Sequence, residues 1–570
     1  MSRARRFVLA CVDPLIGLGL AVGYVWLLLR TSHDLGYARD EGFYFQAARS
    51  YQGWFQILFD SPKAAFERAT IDRYWVANNE HPALVKSLFA LSHHFLHTKW
   101  KLIAEEGTSF RFPGMVLSGV TVAVTYLWGR RVSGRLAGLV AALSLAMMPR
   151  VFYHSHLDCF DMPVAAMWLL TTYAYWRSIS GGGWLWAIAT GVLYGLLLDT
   201  KHNSWLLPPA LIVHFVLARG GGFWRELRTG RVRAPLALIA MAVIGPAVFY
   251  ALWPWIWHDT GKRLAAYVAF HTGHEYYNME FLGRTYWKPP MPLGYAWVMT
   301  VATVPAITLL LFVIGLGDAT KRGLVVRLGA WQRAVAKRLG RPEAGASSPA
   351  DRELFSTELL WLGCILTSYA PWISKSTPIF GGTKHWITAY PFMALFAAQG
   401  FVLVSRALSS FLAERRRLAR AAAQLGLAAS AVAAPIAIAI GSHPWGLGAY
   451  TPLVGGAPGA ASLGLNRSFW GYTTGSVQGF LNERAPPNAS VYVHDTAMQS
   501  WDQMVRDGRL RADLRAAWSP AGSSFALYHH EPHMLRVEYQ LWVDYGTIAP
   551  AHVGAYDGVP VVWVYERPKR

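Results

Sequence analysis

The sequence specifies an all-α polytopic membrane protein with a small C-terminal α/β domain on the outer side. Three observations predict this. Hydrophobic residues fill 53% of the 570 positions and charged residues only 15%, well under the roughly 25% charge usual in soluble domains. About eleven stretches approach the roughly 20 apolar residues that a bilayer crossing requires. Lys and Arg gather in alternate connections between those stretches, so one orientation accounts for all of them.

The N-terminus reads M-S-R-A-R-R and leads into an apolar run from Phe7 to Leu29. That run is too long for a signal peptide core, and no small-residue cleavage site follows, so 7–30 is a retained span. The further spans are 110–129, 134–150, 161–178, 184–200, 203–218, 235–257, 293–316, 355–373, 386–405 and 421–441. Arg3, Arg5 and Arg6 precede the first span, and Arg130, Arg131 and Arg135 follow the second. Arg219, Arg225, Arg228, Arg231 and Arg233 follow the sixth. Lys321, Arg322, Arg327, Arg333, Lys337, Arg338 and Arg341 follow the eighth, and Arg415, Arg416, Arg417 and Arg420 the tenth. All five groups fall on one side, which the positive-inside rule makes the cytoplasm. An odd number of spans then leaves the tail outside. The net charge of +20 belongs to these loops, so it does not indicate nucleic acid. The 26 Trp and 26 Tyr suit two membrane interfaces, where such rings collect. Cys11, Cys159 and Cys364 lie in or beside apolar segments and form neither a disulfide framework nor a metal spacing.

The outer segments are 31–109, 151–160, the turn near 200, 258–292, 374–385 and the tail. In the first, Tyr44, Ala48, Tyr51, Phe55 and Leu58 share one helical face, as do Leu84, Leu88, Leu91 and Phe95. Such helices lie in the interface plane or pack on the bundle. On the inner side, 317–354 ends R-P-E-A-G-A-S-S-P-A-D and reads as a flexible loop. The chain thus divides into a transmembrane unit, 1–441, and an outer domain, 442–570. The outer domain opens on the linker G-G-A-P-G-A-A. Its strand-like runs S-V-Y-V-H and V-P-V-V-W-V-Y flank a helix-like stretch.

The polar residues capable of chemistry share the outer side. They are Asp40 and Glu41, Glu80, His81 and Lys86, Arg111, His154, His156, Asp158 and Asp161, Lys201 and His202, His271, His274, Glu275 and Lys288, and Lys384 and His385. Few charges sit inside spans, Asp13 being an exception. A transporter more often places ionisable groups at mid-depth. Carboxylates and cations at headgroup level suit transfer of a sugar from a lipid phosphate to a hydroxyl. A carboxylate takes the acceptor proton as the new bond forms. Lys, Arg or His stabilises the negative charge growing on the leaving phosphate. No glycine loop for a nucleotide sugar is visible on the cytoplasmic side.

Each residue also has a plainer role. Asp40 and Glu41 suit the N-terminus of the helix that follows them. His81 and Lys86 suit interfacial snorkelling. The Asp158 and Asp161 of D-C-F-D suit a helix cap better than a metal. His271, His274 and Glu275 have ligand-like spacing on one helical face, without further ligands. Lys201, His202, Lys384 and His385 suit interface anchors, and together they suit a mouth that receives an anion.

Several motifs together resemble the protein O-mannosyltransferase family and its bacterial relatives, the aminoarabinose transferases of lipid A, which are GT-C membrane glycosyltransferases. Asp40-Glu41 resembles the family's D-E motif, and H-P-A-L-V-K (81–86) its H-P-P-L-G-K, departing at Ala83 and Val85. F-R-F-P-G (110–114) is similar to the family's Arg at the second span, and D-M-P (161–163) to its D-x-P. F-H-T-G-H-E, W-K-P-P-M-P-L-G-Y and F-G-G-T-K-H-W resemble a bacterial branch. The resemblance covers about 7–405 and stops before the tail.

The resemblance implies a polyprenyl-phosphate-sugar donor, inversion at the anomeric carbon, Asp40 as general base and Glu41 in support. His81 stands where the lipid-A branch has Lys, which favours the mannosyltransferase side and mannose as the sugar. Candidate contacts to the donor phosphate are His81, Lys86, Arg111, Lys201, His202, Lys384 and His385. Candidate contacts to the acceptor or sugar are Glu80, Asp158, Asp161, His271, His274 and Glu275. The expected partners are the lipid-linked donor, a protein, lipid or glycan acceptor, and membrane lipids, with no cofactor and no divalent metal. Ala, Arg and Gly usage points to a bacterial inner membrane, with the N-terminus in the cytoplasm and the site in the periplasm. The rival readings are a lipid-linked-glycan flippase, and an oligosaccharyltransferase or glycan ligase. The lack of a D-x-D in the first loop speaks against the latter.

Overall fold

The structure, a computed structural model, describes residues 3–230, 235–338, 348–412, 417–494 and 496–568. Arg231, Arg233, Arg341, Arg415 and Arg416 lie outside the described residues. Helix α1 (Arg3–Thr31) leads into the first outer loop, whose two longest α-helices are α2 (Arg39–Asp60) and α3 (Leu84–Ser92). Next come α4 (Glu106–Ser133), α5 (Arg135–Ala146), α6 (Asp161–Arg177), α7 (Trp184–Leu198), α8 (Leu207–Arg219) and α9 (Leu236–Leu252). Helix α10 (Thr260–Thr272) and the hairpin β1 (Met279–Phe281) and β2 (Arg284–Tyr286) form an outer excursion. The bundle resumes with α11 (Tyr295–Thr303), α12 (Ala306–Arg338), α13 (Pro349–Tyr369), α14 (Tyr390–Phe411) and α15 (Arg417–Gly441).

Every expected span is helical, yet the count of about eleven is not reached. Among the described residues, four helices are long and apolar enough to cross a membrane, or up to six if each bent pair is one span. The reason is length. At about 1.5 Å per residue, a short helix such as α5 falls well below a hydrocarbon core of about 30 Å. The expected span 134–150 stops at Ala146, and Pro149 opens a separate short helix, Pro149–His154. The expected span 293–316 is two helices, α11 and α12, bent by 120°. Val304 is extended there, as suits a residue before proline, and Pro305 follows it. The inner loop expected over 317–354 is also largely helical. Helix α12 continues to Arg338 and α13 starts at Pro349, with Ser348 accepting from the Asp351 N–H.

One charge inside a span is explained by its neighbours. Asp13 accepts from Tyr126 Oη at 3.0 Å and Arg135 Nε at 2.7 Å, and pairs also with Arg130. It therefore ties α1 to α4 and α5, which pack together. Helices α7 and α9, and α12 and α14, make the other close pairs. In the first outer loop, α2 buries Phe45, Ala48 and Tyr51. Helix α3 buries Val85 and Phe89, one position round from the expected Leu84, Leu88 and Leu91.

The tail is a mixed α/β unit, as expected, but its opening differs. Residues of G-G-A-P-G-A-A form a short helix, α16 (Gly456–Ser462), that buries Ala457 and Ala460. A five-stranded sheet follows: β3 (Ser490–Val493), β4 (Arg515–Ala517), β5 (Phe525–His529), β6 (His552–Tyr556) and β7 (Val559–Glu566), in the order β4-β3-β5-β7-β6. Strand β3 is parallel to both neighbours and the other pairs are antiparallel. Helices α17 (Met498–Arg506) and α18 (Leu535–Tyr545) accompany the sheet.

This unit grips the first outer loop. Ser500 Oγ donates to the Ala38 carbonyl at 2.8 Å, and Arg509 Nη1 to the Leu35 carbonyl at 2.6 Å. Asp507 accepts from the Glu106 N–H at 2.8 Å and from Gly107, so a tail carboxylate caps α4. The approach needs glycine on α2: a Cβ at Gly42 would lie 2.5 Å from the Ser500 nitrogen. One apolar cluster runs through the bundle, and a second joins the first outer loop to the tail.

Candidate active site

The acid pair separates into two roles at the first turn of α2. Successive residues there point about 100° apart, so one carboxylate turns inward while the other lines a cavity. Glu41 and Arg111 are both 0% exposed and form a bidentate pair. Arg111 Nε donates to Glu41 Oε1 at 2.7 Å and Nη2 to Oε2 at 2.8 Å. The backbone N–H of Asp158 also donates to Oε1, at 2.9 Å, and that of Ala38 to Oε2, at 2.8 Å. Four donors thus saturate one carboxylate. The remaining Arg111 donors reach the carbonyls of Ser32 and Gly36. This set clamps the entry of α2 to α4 and to the 155–160 turn. Neither Glu41 nor Arg111 lines the cavity.

Asp40 faces that cavity, whose volume is about 930 Å³. Lys384 Nζ donates to Asp40 Oδ2 at 2.9 Å. Burial pushes the Asp40 carboxyl up, but Lys384 and Arg39 together outweigh burial and hold it below the usual carboxylate range. The same exchange favours charged Lys384: burial lowers it, and Asp40 and Asp161 raise it above an ordinary lysine. Asp161 opens α6, where Lys201 Nζ donates to its Oδ1 at 2.7 Å and His154 lies 3.5 Å from Oδ2. Two carboxylates and two ammonium groups therefore alternate on one wall, each charge partnered.

Cavity walls come from every segment expected on the outer side, including the tail. Of the residues singled out in the sequence, Asp40, Glu80, His81, Asp161, Lys201, His202, His271, His274, Lys384 and His385 line it. Burial and the nearby Lys384 and Lys201 hold His385 neutral. Its Nε2 accepts from the Gly381 N–H at 3.1 Å, which shapes the 380–385 turn. Asn78 Nδ2 donates to Glu80 Oε1 at 2.6 Å.

The other singled-out residues are elsewhere. Lys86 is buried, and its Nζ donates to the carbonyls of Asn78 and His81 at 2.5 and 2.9 Å. Burial pushes it down to about 7. It holds the 78–81 turn and does not line the cavity. Asp158 is fully buried behind Glu41; burial and the Glu41 charge push its carboxyl up. The expectation that His271, His274 and Glu275 share a helical face fails, because α10 ends at Thr272. His274 stacks on Phe380 at 4.8 Å, and Glu275 is exposed and off the cavity.

Sequence reasoning missed several wall residues. Arg39 lines the cavity beside Asp40, and its N–H donates to the Trp470 carbonyl at 2.7 Å. The Trp470 ring lies 4.6 Å from Lys384 Nζ, within cation–π range. Phe469, Trp470 and Glu531 come from the tail, where no motif pointed to them. Off the cavity, the buried Asp199 accepts from the Ala83 N–H at 3.1 Å and so fixes the entry to α3. Its place in D-T-K-H, beside Lys201, was the available signal.

A cavity wall with two partnered carboxylates and two ammonium groups suits a substrate whose leaving group is an anion. Residues 91–250 match the model of the dolichyl-phosphate-mannose-protein mannosyltransferase family. That match agrees with the family resemblance over the stretch that holds F-R-F-P-G and D-M-P. No curated protein matches the sequence. Among solved structures, the chain is similar to ArnT from Cupriavidus metallidurans bound to undecaprenyl phosphate, at 14% identity and a TM-score of 0.45, covering 96% of this chain and 97% of that one. It is also similar to the archaeal oligosaccharyltransferase AglB from Archaeoglobus fulgidus in complex with an inhibitory peptide and a dolichol-phosphate, at 11% identity and a TM-score of 0.45, covering 93% and 71%.

Proposed function

We propose that this protein transfers mannose from a polyprenyl-phosphate donor to an acceptor hydroxyl on the periplasmic side of a bacterial inner membrane, with inversion. One observation carries the reading: Asp40 and Lys384 stand 2.9 Å apart on the wall of a cavity built from the outer segments. The Lys/Arg loops, read as cytoplasmic, support a periplasmic position for that cavity. The acceptor oxygen attacks the anomeric carbon, and the bond from that carbon to the phosphate oxygen breaks. The acceptor proton passes to the Asp40 carboxylate. The bonding pair leaves with the phosphate, whose charge rises from one to two. Asp40 gives up its charge in the same step, so Lys384 is released from one anion as another forms beside it. Lys201 supplies the second cation. The donor's prenyl chain stays in the bilayer, which fits a cavity at headgroup level.

The test is label transfer. Purified protein in liposomes receives polyprenyl-phosphate-[³H]mannose and an envelope fraction as the source of acceptors. Label moving into a lipid-free product supports the proposal. Label crossing the bilayer without leaving the lipid phosphate would replace it with a flippase.

A further inference from the structure

Three histidines from three separate outer segments meet on one wall of the cavity. His81 belongs to the turn before α3, His202 opens the short turn before α8, and His271 sits in the last turn of α10. One ring nitrogen from each lies within 4.8 Å of the others. The His202 and His271 rings stack at 3.9 Å, and those of His81 and His271 are 5.4 Å apart. The Nδ1 atom of each is hidden from solvent and has no hydrogen-bond partner. An orphaned buried polar atom costs about 1–3 kcal/mol, so one on each of three converging rings calls for a ligand.

Local chemistry selects the kind of ligand. His271 Nε2 donates to the Glu80 carbonyl at 2.7 Å. That bond leaves Nδ1 as a bare lone pair, the arrangement found behind metal-bound histidines. A bare imidazole lone pair binds a metal, whereas an anion site offers N–H donors.

We infer that His81, His202 and His271 form a binding site for a divalent transition metal of the zinc class. Nitrogens on a tetrahedral zinc, each at about 2.0–2.1 Å from it, lie about 3.4 Å apart, so side-chain adjustments of about an ångström close the set. Three protein ligands leave a fourth position, and all three residues line the cavity, so that position is open to its contents. The bound ion would pin the 78–81 turn, the 202–206 turn and α10 together around the mouth. This departs from the sequence expectation of no divalent metal. The two candidate metal groupings in the sequence, Asp158 with Asp161 and His271 with His274 and Glu275, do not converge. The three ligands are far apart along the chain, and no spacing motif joins them. Metal binding at these histidines is independent of glycosyl transfer.

The experiment uses full-length protein purified in detergent without a polyhistidine tag, stripped with EDTA and titrated with Co²⁺. The expected result is one equivalent of cobalt with the intense visible bands of tetrahedral coordination, displaced by Zn²⁺. H202A/H271A should lose those bands, with at least tenfold weaker cobalt binding, while H274A keeps them. Single H271Q serves if the double variant elutes as aggregate, and it should show the same loss. Absence of tetrahedral bands from the stripped wild-type protein overturns the site. So does equal cobalt binding by wild type and by the ligand variants.

Discussion

Replacing Glu41 by Gln asks whether the inner member of the acid pair holds the fold or does chemistry. Its two oxygens accept four N–H donors: Arg111 Nε and the Asp158 N–H on one, Arg111 Nη2 and the Ala38 N–H on the other. Gln converts one oxygen into an NH₂ donor. Whichever oxygen is lost, two buried donors lose their acceptor. At about 1–3 kcal/mol each, and with a fully buried guanidinium left without its counter-charge, the loss comes to about 3–5 kcal/mol. That is the range seen when one partner of a buried ion pair is removed. The assay is thermal unfolding of detergent-solubilised protein, read as the monomer remaining after heating. E41Q should melt well below wild type, and D40N, whose partnered carboxylate lines an open cavity, close to it. An E41Q protein as heat-resistant as wild type would refute the structural assignment of Glu41.

Two further outcomes follow from the geometry. Lys384 helps hold the Asp40 carboxyl low, and a base must be ionised to act, so activity falls as pH drops through the Asp40 pKa. K384Q should therefore move the acid limb of kcat/KM to higher pH, and a limb that stays in place would detach Asp40 from the proton transfer. Asp507 caps α4 from the tail, so D507A should cost about 1–2 kcal/mol, in line with loss of a helix cap. The readout is faster proteolytic removal of the tail; cleavage at the wild-type rate would show the cap to be dispensable.

Much of this arrangement was legible in the sequence because it follows from periodicity and charge placement. The apolar runs marked where helices form, and the Lys/Arg loops predicted which segments share a side. Those outer segments do meet in one cavity. Helix length was less legible, since Pro149 and Pro305 break runs whose hydropathy is continuous. The division of labour at Asp40-Glu41 depends on which neighbour each side chain meets at the first turn of α2. The capping reading of the pair is met by Glu41, which accepts from the Ala38 N–H, while Asp40 lines the cavity. Lys86 and Arg111 looked like phosphate ligands because they are cations on the right side. Their donors instead satisfy loop carbonyls and, for Arg111, the Glu41 carboxylate, a use that charge alone does not reveal. Trp470 and Glu531 reach the wall only through the docking of the tail on α2. The His81, His202 and His271 cluster needs three loops folded together before it exists.

The most direct measurement of the account is a single turnover with D40N. Purified wild type and D40N are each loaded with polyprenyl-phosphate-[³H]mannose, and donor binding and label transfer are followed in the same samples. Asn keeps the shape but cannot take the acceptor proton, so D40N should bind the donor within a few-fold of wild type. Its transfer should be about 10²–10⁴-fold slower. Transfer by D40N at the wild-type rate would contradict the central claim that the Asp40 carboxylate accepts the proton.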